Sequence, residues 1–445
     1  MYMKNRTKWG TGLAVAACLV LTGCSSTAVT PTPATPEPGA TATPTPVPEP
    51  VHLKMAAWLL DSTPEFKTLT DAFHEANPYI TIDLVEYKAG NDYDTQMIAD
   101  LAAGSAPDLY ILKNLRNFFT YQDGGQLMDV SDVAAEYGGN TKGLSNYQVD
   151  GKTYAIPYRQ DSWYLFYDKD MFDKAGVAYP DGKWTWDDYA AAADKLQKAI
   201  GGGDVYGAYM HRWQSCVQGF ANAQAPGADI LSGNFDYMKP YYDRVLAMQD
   251  SGVQVSFNTS STNSLTYQSQ FGKQKAAMLI MGSWYVAAYL AQVGTGDADK
   301  FNWGIAPVPQ LDSSTFDNPV TFGDPTAIGI NPAIDSKKTD AAKKFLAFIA
   351  GQEAAIALAG IGITPAYFDD AVTSTYFALE GVPKDALSQF TFGTHDTKPE
   401  NPVSSKTAKV QGILGDMHTA IMSESTSVDD AIAEAESRFA NEVTD

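Results

Sequence analysis

Leu53-Lys54-Met55-Ala56-Ala57-Trp58 opens the stretch that decides the fold, and Asp108-Leu109-Tyr110-Ile111-Leu112 closes it. The opening run is short and apolar, as in a buried strand. Thr63 and Pro64 follow, a capping residue and a proline suited to the first helical position. Phe66, Leu69, Phe73 and Ala76 then share one helical face, and Asn77-Pro78 stops that helix. Ile80, Ile82 and Leu84 alternate with Thr81 and Asp83, a strand pattern. Tyr93, Met97 and Leu101 repeat at helical spacing up to Gly104, and Asp108 to Leu112 supplies a third strand. The order β-α-β-α-β predicts an α/β fold with parallel strands and right-handed crossovers. In open α/β sheets ligands bind beyond the carboxyl ends of the strands. Position alone therefore marks Trp58 and Asp61 after the first strand, and Lys113, Asn114 and Arg116 after the third.

The pattern continues downstream. Asp150-Gly151 between alternating stretches predicts a hairpin turn. Trp163 to Tyr167, Lys275 to Met281 and Ala327 to Ile330 read as strands. Thr185 with Asp188 three residues on reads as a capping box. Ala341 to Ala350, Glu353 to Ala359 and Val428 to Asn441 read as helices, the last capped by Ser427. There is no repeat of the kind that marks a solenoid or propeller.

Upstream, Lys4, Arg6 and Lys8 precede the apolar run Leu13 to Leu21, too short to span a bilayer, so residues 1–23 read as an export signal. The run ends in Leu21-Thr22-Gly23-Cys24, which resembles a bacterial lipobox and makes Cys24 the expected lipid attachment site. Residues 24–50 read as a Thr/Pro-rich tether: eight of the twenty residues from Pro31 to Pro50 are proline. Such a stretch builds no core and extends at roughly 3.1 Å per residue. After processing Cys216 remains alone, so no intrachain disulfide forms and a buried apolar role is expected for it. The 445-residue chain carries a net charge of −21, which disfavours nucleic acid as a partner. The 395 residues from 51 onward exceed one simple core, and two domains are expected.

His52, His74, His211, His395 and His418 show no metal spacing, and no Gly-x-Ser-x-Gly elbow is present. Neither a metal nor a cofactor is expected. Carboxylates are plentiful, so a lipid-anchored glycoside hydrolase stands as an alternative, although no run of eight βα units supports it. A surface protein that holds polysaccharide without transport is the other alternative.

Several stretches together resemble the family 1 extracellular solute-binding proteins. These are Phe73 to Pro78 with Ile80 and Ile82, Ala102-Ala103-Gly104 with Ala106-Pro107-Asp108, and Asp150 to Pro157. Tyr167 to Phe172 with Gly176, Trp184 to Asp188, Gly272-Lys273, Ala276 to Met278 and Gly282-Ser283-Trp284 extend the likeness. Asp168 stands where the family usually has Asn, and the last part of the chain matches poorly. The resemblance implies a two-lobed periplasmic-binding-protein fold of type II, with discontinuous lobes joined by a multi-strand hinge. It places residues 51–158 and 324–365 in lobe 1, and 159–323 and 366–445 in lobe 2. Crossings are expected near Pro157 to Asp161, Phe322 to Thr326 and Thr364-Pro365. A carbohydrate held between the lobes would be passed to ABC permease subunits driven by a separate ATPase. The protein would act as a monomer on the outer face of the membrane.

A sugar offers an apolar C–H face to aromatic rings and a rim of hydroxyls to charged or amide groups. In the maltose-type branch, ligand contacts match Trp58, Asp161 and Trp284 of this sequence. Asp61 and Arg116 occupy loop positions that resemble sugar-contacting ones. Trp213, in His211-Arg212-Trp213-Gln214, resembles an aromatic platform, with Arg212 beside it; Asp324 lies at the second hinge. Surface ion pairing and hinge bonding account equally for Asn114, Arg116, Arg212 and Asp324. Trp184 and Trp186 are assigned to packing.

Overall fold

The computed structural model describes residues 49–443, which form one compact unit. The export signal, the tether up to residue 48 and Cys24 lie outside the described residues. Strand β1 (Val51–Trp58), helix α1 (Glu65–Ala76), β2 (Ile80–Tyr87), helix α2 (Asn91–Ala103) and β3 (Leu109–Leu112) form the expected βαβαβ unit. β1 pairs in parallel with β2 from Val51↔Ile80 to Trp58↔Tyr87, and in parallel with β3. The interior of β1 from Met55 to Ala57 and all of β3 are buried, hence their unbroken apolar runs. β2 lies at the sheet edge and alternates between buried and exposed over its first residues. One local detail differs from expectation. Pro64 takes the cap position of α1 with helical dihedrals (φ −70°, ψ −17°), so the Thr63 side chain makes no capping bond.

The hairpin at Asp150-Gly151 is present as β4 (Gln148–Val149) and β5 (Lys152–Thr153). β6 (Ile156–Gln160) then joins the first sheet, and β7 (Trp163–Asp168) starts a second one with β8 (Met278–Gly282) and β9 (Trp303–Pro307). β10 (Val320–Phe322) pairs in parallel with β12 (Asp396–Lys398), while β11 (Pro325–Ile330) returns to the first sheet. The first sheet thus runs β2-β1-β3-β11-β6 and the second β8-β7-β9. Each sheet has its own apolar core. Phe66, Phe73, Tyr93 and Phe345 belong to the first; Phe166, Phe172, Tyr209 and Tyr285 belong to the second. The capping box of Thr185 and Asp188 forms, and Ser427 caps the last helix by accepting from Asp430 N. Cys216 is buried and unpaired in the second core.

The chain moves between sheets through very short spans. Only Asp161 and Ser162 separate β6 from β7, and only Gly323 and Asp324 separate β10 from β11. A third segment, Thr364 to Ala366, lies along β6: Gln160 N donates to Thr364 O at 3.2 Å and Ala366 N to Tyr158 O at 3.0 Å. The first two spans pack backbone against backbone. A Cβ on Gly323 would lie 2.1 Å from the Asp161 carbonyl oxygen, so no other residue fits without movement. Gly323→Ala is therefore expected to lower stability by about 1–3 kcal/mol. Urea denaturation checks this; an unchanged midpoint would mean that the two spans can separate freely.

Candidate ligand-binding cleft

A cavity of about 880 Å³ opens where the ends of the two sheets face each other. Nine of the ten residues singled out from sequence line it: Trp58, Lys113, Asn114, Arg116, Asp161, Arg212, Trp213, Trp284 and Asp324. Asp61 does not. Leu59 turns left-handed (φ 49°), and its carbonyl accepts from Ser62 N and Thr63 N at 2.9 and 2.8 Å. This turn brings Ser62, Thr63 and Pro64 to the cavity edge and leaves Asp61 exposed outside it.

The tryptophans are held edge-on by other rings. Trp58, at the end of β1, meets Phe66 and Tyr93 at centroid distances of 5.0 Å each, with interplanar angles of 76° and 74°. Trp284, just past β8, meets Trp163 at 5.5 Å and 88°. Gly282 makes this placement possible, since a Cβ there would fall 1.9 Å from the indole. Trp213 is 40 % exposed, yet its ring rests against His211 at 4.5 Å and Tyr267 at 5.8 Å. Trp213 and Trp284 stand 6.4 Å apart with planes at 46°. Such pre-packed rings present a flat apolar face with little freedom to lose on binding. Trp186 sits in the second core, its Nε1 donating to Gln224 Oε1 at 2.8 Å.

The charged groups divide into bound and free. Asp161 is buried, 2.8 Å from Arg159 Nε, and accepts from Ser283 Oγ at 2.9 Å. The far side of Arg159 pairs with Glu65, which also accepts from Tyr158 Oη at 2.8 Å. Burial pulls the guanidinium of Arg159 down, but Asp161 and Glu65 outweigh it, and the net shift is upward. Burial also pushes Asp161 above the usual carboxylate range, against the pull of Arg159. Asp324 accepts from Leu115 N (3.1 Å), Glu400 N (2.8 Å), Asn401 N (3.2 Å) and Asn401 Nδ2 (2.6 Å). Four donors leave it no capacity for a ligand hydroxyl, so its place is structural. Asp94 pairs with Lys113 at 2.6 Å. By contrast, no hydrogen bond or ion pair to the guanidinium of Arg116 or Arg212 occurs among the described residues. Burial lowers the Arg116 pKa.

Glu65, Arg159, Tyr267, Glu400 and Gln411 also line the cleft and were not singled out from sequence. Glu400 accepts from Ser215 Oγ. Burial, then the nearby Asp324 charge, pushes its carboxyl up to about 7, against Ser215 and Arg116. Among the described residues, no group of three or more His, Cys, Asp or Glu side chains is placed to hold a metal ion.

Residues 57–356 match the model of the bacterial extracellular solute-binding proteins, and the chain belongs to that family. Its two-lobed α/β architecture is that of the type II periplasmic binding proteins. A sugar transporter from Rhizobium etli, solved in an open conformation, is 31 % identical with a TM-score of 0.70, covering 87 % of this chain and 98 % of that one. A binding protein of Brucella abortus is 26 % identical over 273 residues, 58 % of this chain; the match spans 63 % of the Brucella protein. The maltodextrin-binding protein of Bacillus subtilis is 24 % identical over 252 residues, 52 % of this chain and 54 % of its own length.

Two tests follow from the charges. Arg159→Leu strands two buried carboxylates and is expected to cost about 3–5 kcal/mol, read from denaturant midpoints. A folded-state pKa of about 7 at Glu400 exceeds the value of an unperturbed glutamate. Between the two values the folded state binds more protons than the unfolded state, so the contribution of Glu400 to stability falls as pH rises to about 7. Glu400→Gln should flatten that decline in pH-dependent melting; an unchanged slope would show that Glu400 is not the group responsible.

Proposed function

We propose that this chain is the extracytoplasmic receptor of an ABC importer, capturing an oligosaccharide between its lobes and delivering it to a membrane permease. The observation that carries this reading is the cleft itself. Three braced tryptophans and two arginines unpaired among the described residues face one cavity of about 880 Å³, within the range of about 300–1,000 Å³ that suits a small-molecule ligand. Aromatic faces and free hydrogen-bond donors match the two surfaces of a sugar. Membership of a solute-binding family and the sugar-binding relatives support the same reading. Under it, the protein is exported, held by lipid at Cys24, acts as a monomer and leaves its ligand chemically unchanged. Its permease subunits and ATPase are separate chains.

The elevated pKa of Glu400 is the observation that favours a glycoside hydrolase instead, since a general acid must hold its proton. Such an enzyme also needs a second available carboxylate. Glu65, Asp94, Asp161, Asp324 and Asp416 at the same cleft are each engaged by internal partners. A transport receptor returns its oligosaccharide intact, so chromatography after long incubation separates the two readings.

A thermal-shift and tryptophan-emission screen against mono- and oligosaccharides and polyols tests the receptor reading. A ligand at 100 times its Kd adds roughly 2.7 kcal/mol to stability. A shift with an oligosaccharide is expected; silence across all carbohydrates would refute the carbohydrate reading. Trp284→Ala is expected to raise the Kd at least about tenfold while the protein stays folded. Unchanged affinity would remove Trp284 from the site.

A further inference from the structure

On the side of the cleft next to Trp213, one group of lining residues forms an arm of its wall. Its lining passes to Phe257 and to one face of the helix Thr407–Met422, which carries Gly412 and Gly415. Specific contacts assemble this wall. His418 Nε2 lies 3.1 Å from the Arg212 carbonyl oxygen, and the His418 ring meets Phe257 at 5.8 Å and 83°. Gln214 Nε2 donates to Gln411 Oε1. The backbone of Arg212 is thereby fixed while its guanidinium stays unpaired among the described residues.

Gly412 is the informative residue. It stands in the interior of a sixteen-residue helix, where glycine is unfavourable because it gives up the most backbone freedom. Its φ is not in the left-handed region, so the backbone does not require glycine. A Cβ built on it meets no heavy atom within 4 Å, so packing does not require glycine either. The side chain is absent from a position where it would project into the cleft. At Gly415 a Cβ would meet only the end of the Gln214 side chain, at 2.7 Å.

We propose that this arm is a separate subsite for a further sugar unit, so that the ligand is an oligosaccharide of three or more units. One unit faces Trp284, one faces Trp213, and the third lies in the arm between Phe257 and the bare backbone at Gly412. The Arg212 guanidinium serves the hydroxyls there. This inference rests on the carbohydrate reading above and sets the ligand's length.

Maltooligosaccharides of two to six units are titrated into the intact chain by calorimetry, with the melibiose–raffinose–stachyose and arabino-oligosaccharide series in parallel. In whichever series binds, affinity should rise from two units to three. Gly412→Phe should abolish that gain, weakening three-unit and longer ligands at least tenfold while the two-unit Kd stays within twofold. Gly412→Ala should raise the melting temperature, because alanine narrows the unfolded ensemble, and still weaken the longer ligands. If Gly412→Phe does not fold, Gly412→Ala and Phe257→Ala carry the test, each with a loss confined to three units and longer. Losses equal at all lengths, or no loss in any variant, overturn the subsite. Wild-type protein that binds no series at all overturns the carbohydrate reading first, before any variant is compared.

Discussion

Arg159 sits on the last strand of the first sheet, buried between Glu65 at the start of α1 and Asp161 at the first crossing. Its Nη2 also donates to Thr326 Oγ1 on β11 at 3.1 Å, and Thr326 Oγ1 in turn donates to the Lys113 carbonyl at 3.1 Å. One guanidinium thus ties together α1, β11, the loop after β3 and the exit toward the second sheet. A hydrophobic side chain could fill the volume, and buried ion pairs often add little net stability. What the triad supplies is direction. A fixed fork holds Asp161, Asp161 receives Ser283 Oγ, and Ser283 adjoins Trp284. The placement of a cleft aromatic beside the second sheet is therefore set from the first.

Asp324 performs a second tie at the next crossing. Its carboxylate gathers the backbone of Leu115, beside Arg116, and that of Glu400 and Asn401 beyond β12. Ser215, two residues past Trp213, reaches Glu400. Residues on both walls of the cleft consequently share buried anchors at its floor. Under the proposed reading, these short backbone spans are the hinge about which the walls close on a ligand.

The βαβαβ unit was legible because buried strands and amphipathic helices differ in period, and Asn77-Pro78 and Gly104 mark the ends. The cleft tryptophans were legible because they follow strands directly, where α/β sheets place ligands. Asp61 lies outside the cavity: its distance from β1 suits a contact, but the left-handed turn at Leu59 carries it outward, and a non-glycine residue gives little warning of that conformation. Arg159 and Glu65 were missed because each is locally unremarkable: an arginine after Ile156-Pro157-Tyr158, and an acidic residue in a helix's first turn. Their meaning arises across 94 residues of sequence separation. Glu400 and Gly412 lie where motif likeness fades, and nothing local marks an open helix face as part of a cavity.

Under the proposed reading, the two sheets, the paired carboxylates and the cleft arginines form a cleft that closes on its ligand and leaves it unchanged. Small-angle X-ray scattering with and without a saturating oligosaccharide tests this most directly. The account predicts a smaller radius of gyration on adding sugar, reversed when the sugar is dialysed away. An oligosaccharide that binds at saturation and leaves the radius of gyration unchanged would contradict it.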